Sequence, residues 1–115
     1  VSSLEQSDRE AAVHAVAPRV TLADIENAIA ARYDTTAVKA IGANTPFPTH
    51  AHLDTLSICI VVMRNGFTVI GKSAPASPAN FNAEFGKKLA YEDAIRQLWP
   101  LMGFSLRDRL AAAAQ

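Results

Sequence analysis

The sequence predicts an α+β fold: a two-stranded antiparallel hairpin, alone or extended across subunits, packed against two main helices. Leu56 to Met63 is an apolar run of strand length, Asn65-Gly66 follows it as a turn signal, and Phe67 to Ser73 returns. A helical period on either side of this hairpin supplies the covering layer.

Each element has a local reason. Val1 to Pro18 reads as a frayed helix or flexible arm, because "EAAVHAVA" has helix formers without a strong apolar stripe and Pro18 stops it. Thr21 is an N-cap with Asp24 in the first turn. Leu22, Ile25, Ile29 and Tyr33 then recur at spacings of three and four, predicting a helix over 22–33. Residues 36–41 add a short turn, and "GANTPFPTHAHLD" over 42–54 is loop chemistry with Pro46 and Pro48. In the first strand Leu56, Ile58, Ile60 and Val62 share one face, and Ser57, Cys59, Val61 and Met63 the other. Both faces are largely apolar, so both are expected to be covered. In the turn, Asn65 and Gly66 both tolerate positive φ.

Asn82 caps a second helix with Glu84 in its first turn. Phe85, Leu89, Ile95, Leu98 and Trp99 form its apolar stripe, Tyr91 and Ala94 its margin, and Pro100 its end. Residues 103–110 form a short turn or helix. The organisation is an arm over 1–18, one domain over 19–110 and a tail over 111–115. An isolated hairpin is marginal in water and its free edges invite pairing, so a homo-oligomer is expected.

The chain has 115 residues, half of them apolar, which is enough for one domain with a core. No apolar run is long enough to span a membrane, and the polar start does not read as a signal peptide. Eleven basic and eleven acidic residues cancel, which disfavours nucleic-acid binding. The single cysteine, Cys59, has no disulfide partner and reads as a small buried hydrophobe in a reducing, cytosolic setting.

Catalytic groups are scarce. His50 and His52, with Asp54 nearby, are the one hint of a metal. An extended chain points both rings the same way, but no third histidine follows, so a solvated loop is expected. Gly71-Lys72-Ser73 ends a strand rather than opening a helix and is not read as a phosphate loop. Glu92 and Asp93 diverge by about a hundred degrees on a helix and read as a solvated face. No serine or cysteine sits in a nucleophile elbow. No catalytic residue, cofactor or metal is expected, and the chain is not read as an enzyme.

What remains is a binding surface. The loop from Ser73 to Asn82 carries small side chains, so its backbone can approach a ligand closely, and it leads to a helix N-terminus that favours anions. Lys72 precedes it, Lys87 and Lys88 follow, and Arg64 marks the hairpin. Phe67 and Phe81 offer faces on which a purine can stack, and Asn80 and Asn82 offer amides for base or ribose edges. Against this, both rings can be core residues, Asn82 only a cap, and the two lysines only solvated.

The ordered set Asn65-Gly66-Phe67, Ser73-Ala74, Pro78-Ala79-Asn80-Phe81, Glu84-Phe85-Gly86, Ala94-Ile95 and Trp99 to Phe104 resembles a family of small tailed-phage early proteins. The upstream "RVTLADIENAIAARY" is similar to that family's start, so the likeness covers about residues 19–110. The family includes the first kind of Thoeris anti-defence protein, a sponge that captures immune signalling nucleotides without degrading them. The resemblance implies cyclic ADP-ribose isomers as ligands and, in some relatives, cyclic di- or trinucleotides of CBASS. It also implies a dimer-based hexamer with pockets between subunits, acting in the host cell cytoplasm. Such a sponge holds two phosphates with arginines, for which Arg64, Arg107 and Arg109 are the candidates. The resulting ligand-binding set is Arg64, Phe67, Lys72, Ser73, Asn80, Phe81, Arg107 and Arg109. The Pro46/Pro48 loop looks like an insertion before the first strand.

Two other classes compete with this reading. One is a phage protein that inhibits a host protein or binds nucleic acid through its sheet edge and N-terminal arm. The other is a small phosphodiesterase using His50 and His52.

Overall fold

The computed structural model describes residues 3–42 and 44–115; Val1 and Ser2, at the head of the arm, and Ala43, in the proline loop, lie outside the described residues. The elements are α1 (Ser3–His14), α2 (Leu22–Asn27), β1 (Ile29–Thr36), α3 (Ala37–Gly42), a 3-10 turn (Ala51–Thr55), β2 (Ser57–Met63), β3 (Thr68–Ser73), a second 3-10 turn (Pro78–Asn80) and α4 (Ala83–Ala113). The strands form one antiparallel sheet in the order β1-β2-β3. The fold is α+β, with three strands where the sequence predicts two.

The third strand comes from the segment read as helix. Thr21 caps as expected: its Oγ1 accepts the Asp24 N–H at 3.0 Å, and Asp24 Oδ2 accepts the Thr21 N–H at 2.9 Å. But α2 lasts six residues, and Ile29 already pairs with Met63 of β2. The four-residue step from Ile29 to Tyr33 fits a helix and a strand alike. Tertiary pairing decides between them. The β-branched and aromatic residues Ile29, Tyr33, Thr35 and Thr36 suit a pleated sheet, and β1 satisfies an edge of β2 that a helix would leave bare.

Beyond β3, α4 runs 31 residues, about 46 Å, straight through Pro100, which was expected to end it. Proline there leaves the Arg96 carbonyl without its helical donor. Both residues are exposed, so water can supply the missing bond. Residues 103–113 therefore continue the same helix.

The core lies between α4 and one face of the sheet. Cys59 and Val61 of β2, Ile25 of α2, and Ala90, Ala94 and Ile95 of α4 are completely buried, with Leu98, Met63, Val69 and Leu4 close to it. Small residues let α4 seat tightly. A Cβ on Gly71 would stand 2.0 Å from the Ala90 carbonyl oxygen, and one on Gly86 would stand 2.4 Å from Ser57 Oγ. Phe85, assigned above to the core stripe, is instead 56% exposed because Gly86 faces the sheet in its place.

The second sheet face is open within one chain. Tyr33 and Ile70 are more than half exposed there, beside half-buried Ile58, Ile60 and Val62. One chain covers one face only. Glu92 and Asp93 are not a solvated face. Glu92 is buried with Arg96 Nη2 at 4.0 Å, and Asp93 Oδ2 accepts the Lys72 N–H at 2.9 Å.

The N-terminal helix is held by Asp8 and by Ser3, whose Oγ accepts from Arg96 Nη2 at 2.7 Å. Asp8 Oδ1 accepts from Arg19 Nη1 at 2.8 Å and from the Leu22 N–H at 3.1 Å, while Leu4 is buried against the core. The Arg19 bond holds the Asp8 carboxyl below its ordinary 3.8. A depressed carboxyl stabilises the folded state above its unfolded pKa and loses that contribution as pH falls through the folded one. Asp8→Asn should therefore cost about 1 kcal/mol at pH 7, and the gap to wild type should close below about pH 4. Urea midpoints measured across pH check this. No helix among the described residues is long and apolar enough to cross a membrane.

Candidate ligand-binding site

The hairpin turn is built on one residue of special backbone. Gly66 has φ 89°, its N–H bonds the Met63 carbonyl at 2.9 Å, and Met63 N–H bonds the Phe67 carbonyl at 2.8 Å. This is a three-residue turn with a left-handed glycine. Asn65 needs no positive φ; its Oδ1 accepts the Phe67 N–H at 3.0 Å instead. Arg64 is anchored on the end of α2. Its backbone N–H donates to Ala28 at 2.8 Å and its Nε to the Asn27 carbonyl at 2.7 Å.

The predicted residues fall into two groups. Ser73, Asn80 and Phe81 line one groove of about 200 Å³, with Thr55, Ala74, Pro75 and Phe85, at the N-terminus of α4. There Asn82 Oδ1 caps the helix by accepting the Phe85 N–H at 3.0 Å, so that oxygen already has a partner. Phe81 is half-buried and lies beside Gly86. Among the two lysines weighed with this loop, Lys87 Nζ lies 3.7 Å from Glu84, and Lys88 lines a different crevice with Glu26, Tyr91 and Glu92.

Arg64 and Phe67 lie at the opposite end of β3, about 20 Å away at ~3.3 Å per residue. They line an apolar groove of about 380 Å³ with Met63, Leu98, Leu101 and Met102. It adjoins a second groove of about 390 Å³, which shares Ala28, Met102 and Ser105 and adds Arg19, Asp24 and Arg109. Arg109 Nη1 donates to Ser105 Oγ at 2.9 Å. Phe67 is 52% exposed, an available plate rather than a core ring. Arg107 is exposed on α4 and lines neither groove. Lys72 is exposed opposite Ile58 in the sheet register and lines none of these three grooves. The residues missed by sequence reasoning are Ser105 and Met102. They fall in the stretch read as separate from the long helix.

The remaining motifs have structural roles. Gly66 stands five residues before Gly71, so Gly66 to Ser73 has phosphate-loop spacing. The segment is β3, however, and its alternate amides bond to β2 rather than forming a cradle. His50 Nδ1 accepts the His52 N–H at 3.1 Å, the two rings stack at 5.0 Å, and the proline loop that precedes them lies between β1 and β2, not before the first strand. No group of three metal-ligating side chains occurs among the described residues. Burial, then the nearby Asp34 charge, pushes the Cys59 thiol up to about 11, so it stays protonated and unreactive at neutral pH. Burial also raises Tyr91, whose hydroxyl donates to Glu26 at 2.7 Å while the Arg32 guanidinium lies 4.0 Å over its ring.

No curated relative and no solved structure matches the chain. A family model described as phage protein (N4 Gp49/phage Sf6 gene 66) matches residues 20–110, from the capped α2 through nearly all of α4. The chain belongs to this phage protein family.

Proposed function

We propose that this phage protein captures cyclic nucleotide immune signals and holds them uncleaved: cyclic ADP-ribose isomers, with cyclic di- or trinucleotides as a second class. The observation that supports this most is the groove of Ser73, Ala74, Pro75, Asn80 and Phe81 at the start of a 31-residue helix. It offers the Asn80 side-chain amide, a half-buried ring and a helix start that favours an anion, while the backbone N–H groups of Asn80, Phe81 and Phe85 already donate locally. Sequestration needs only equilibrium binding, so an absence of transition-state machinery is compatible with it.

At about 200 Å³ that groove is small for a nucleotide. Arg64 and Phe67, at the far end of β3, and Arg109, far along α4, stand too distant to touch the same small ligand within one chain. A homo-oligomer resolves both points if the groove of one copy faces the arginine-bearing end of another. A dimer-based hexamer is the assembly we propose, working in the host cytoplasm, with no membrane or nucleic-acid partner.

The test is recovery. Protein purified from cells that make such a signal should carry a 260 nm-absorbing small molecule, released intact by heating, and Asn80→Ala should carry at least about tenfold less. A cleaved product would instead indicate a phosphodiesterase, and a bare protein from signal-producing cells would count against capture. A second reading, inhibition of a host protein, draws on the open outer edge of β1; a host chain co-purifying in stoichiometric amount would favour it.

A further inference from the structure

The two edges of the sheet differ. Met63 N–H bonds the Phe67 carbonyl, and hydrogen-bonded pairs alternate along an antiparallel ladder, so Ile70 and Lys72 point their backbone groups away from β2. α4 occupies that row: Gln97 Nε2 donates to the Ile70 carbonyl at 2.7 Å, and Asp93 accepts the Lys72 N–H at 2.9 Å. A further strand has no room to pair there.

On β1 the same alternation leaves the middle of the outer row bare, although the Thr36 carbonyl at its end accepts from Thr35 Oγ1 at 3.2 Å. Ala37 N–H bonds the Leu56 carbonyl, which makes Thr36 and Ser57 a non-hydrogen-bonded pair. Thr35 and Tyr33 then direct their backbone groups at β2, and Arg32 and Asp34 direct theirs outward. Among the described residues no group bonds the N–H or carbonyl of Arg32 or Asp34. The strand is eight residues long and has no proline.

We propose that this edge pairs with the same edge of a second copy, antiparallel about a two-fold axis at Tyr33, fusing two three-stranded sheets into one. The charges select that register. Centred on Tyr33, Arg32 of each copy faces Asp34 of the other and exchanges two backbone hydrogen bonds with it. Shifting the centre to Arg32 or to Asp34 sets like charges opposite each other, as does a parallel alignment in register. Within one chain Arg32 Nε and Asp34 Oδ2 already lie 3.1 Å apart on one side of the strand, placed to share the pair across the axis. The fused sheet would also join the two open faces, with Tyr33 and its counterpart side by side beside Ile60 and Ile70. This names the surface behind the homo-oligomer proposed above and does not depend on any ligand.

Light scattering on purified protein, without ligand, separates the possibilities. Wild type should exceed monomer mass at micromolar concentration. Asp34→Pro removes an outward N–H without touching the bonds to β2, and with it the carboxylate that pairs with Arg32; it should weaken association about tenfold or more, with an unchanged circular dichroism spectrum. Arg32→Asp should weaken it too, and Arg32→Asp combined with Asp34→Arg should restore it. Tyr33→Cys should form a covalent dimer on oxidation, since Cα atoms about 4.5 Å apart at a non-hydrogen-bonded pair suit a disulfide; Thr35→Cys, which does not face itself, should not. A monomeric wild type overturns both this pairing and the oligomer. An oligomer that survives folded Asp34→Pro and Arg32→Asp unchanged, without a Tyr33→Cys crosslink, overturns the edge alone and assigns assembly to another face.

Discussion

Gly71→Ala should destabilise the protein by about 3 kcal/mol, and by more if α4 cannot shift, although it adds a single methyl group. The new Cβ would meet the Ala90 carbonyl oxygen at 2.0 Å, the Ala94 nitrogen at 2.6 Å and the Ala94 Cβ at 3.0 Å. The first two are backbone atoms of a helix and cannot rotate aside. Relief requires α4 to lift from β3, which would also strain the Gln97 and Asp93 bonds that cover the strand edge. Domains of this size hold about 5–15 kcal/mol in total, so such a loss is a large fraction. Denaturant unfolding measures it directly; a change below about 0.5 kcal/mol would mean that the helix sits farther from the sheet than these contacts require.

Ile95→Ala should cost about 3–4 kcal/mol by the opposite route, a cavity instead of a clash. Ile95 is completely buried among residues of β2, α2 and α4, so truncation removes contacts that little else can replace. The melting temperature should fall by about 15 °C. Phe104→Ala is the control: that ring is 71% exposed, and in the separated chain its removal should change stability by less than about 0.5 kcal/mol.

The parts of the fold that sequence reading recovered are those set by local rules. The Thr21–Asp24 box, the Asn82 cap and the β2–β3 hairpin each follow from a few adjacent residues. Its errors came where distant contacts overrode local pattern. Residues 29–36 have both helical spacing and strand propensity, and the need of β2 for a second partner decided the outcome. Pro100 was read as a helix end because proline usually is one, but an exposed position can tolerate the lost bond. Gly71 was rightly set aside as a phosphate motif, but its reason, the approach of α4, is a long-range contact that no local pattern shows.

For the site, the Ser73–Asn82 loop was legible because small side chains, two prolines and a cap lie consecutively. The separation of Arg64 and Phe67 from that loop was not. It depends on strand length and direction, which turn neighbours in sequence order into opposite ends of a sheet. Met102 and Ser105 were hidden by the premature end given to α4.

The central claim is capture of an intact cyclic nucleotide, and calorimetric titration of the purified protein with a panel of cyclic ADP-ribose isomers and cyclic di- and trinucleotides tests it most directly. Capture predicts saturable heat from at least one member, recovery of that ligand uncleaved after heating, and binding weakened about tenfold or more by Asn80→Ala and by Phe67→Ala. No heat from any member, with protein that is folded and at its native mass, would contradict it.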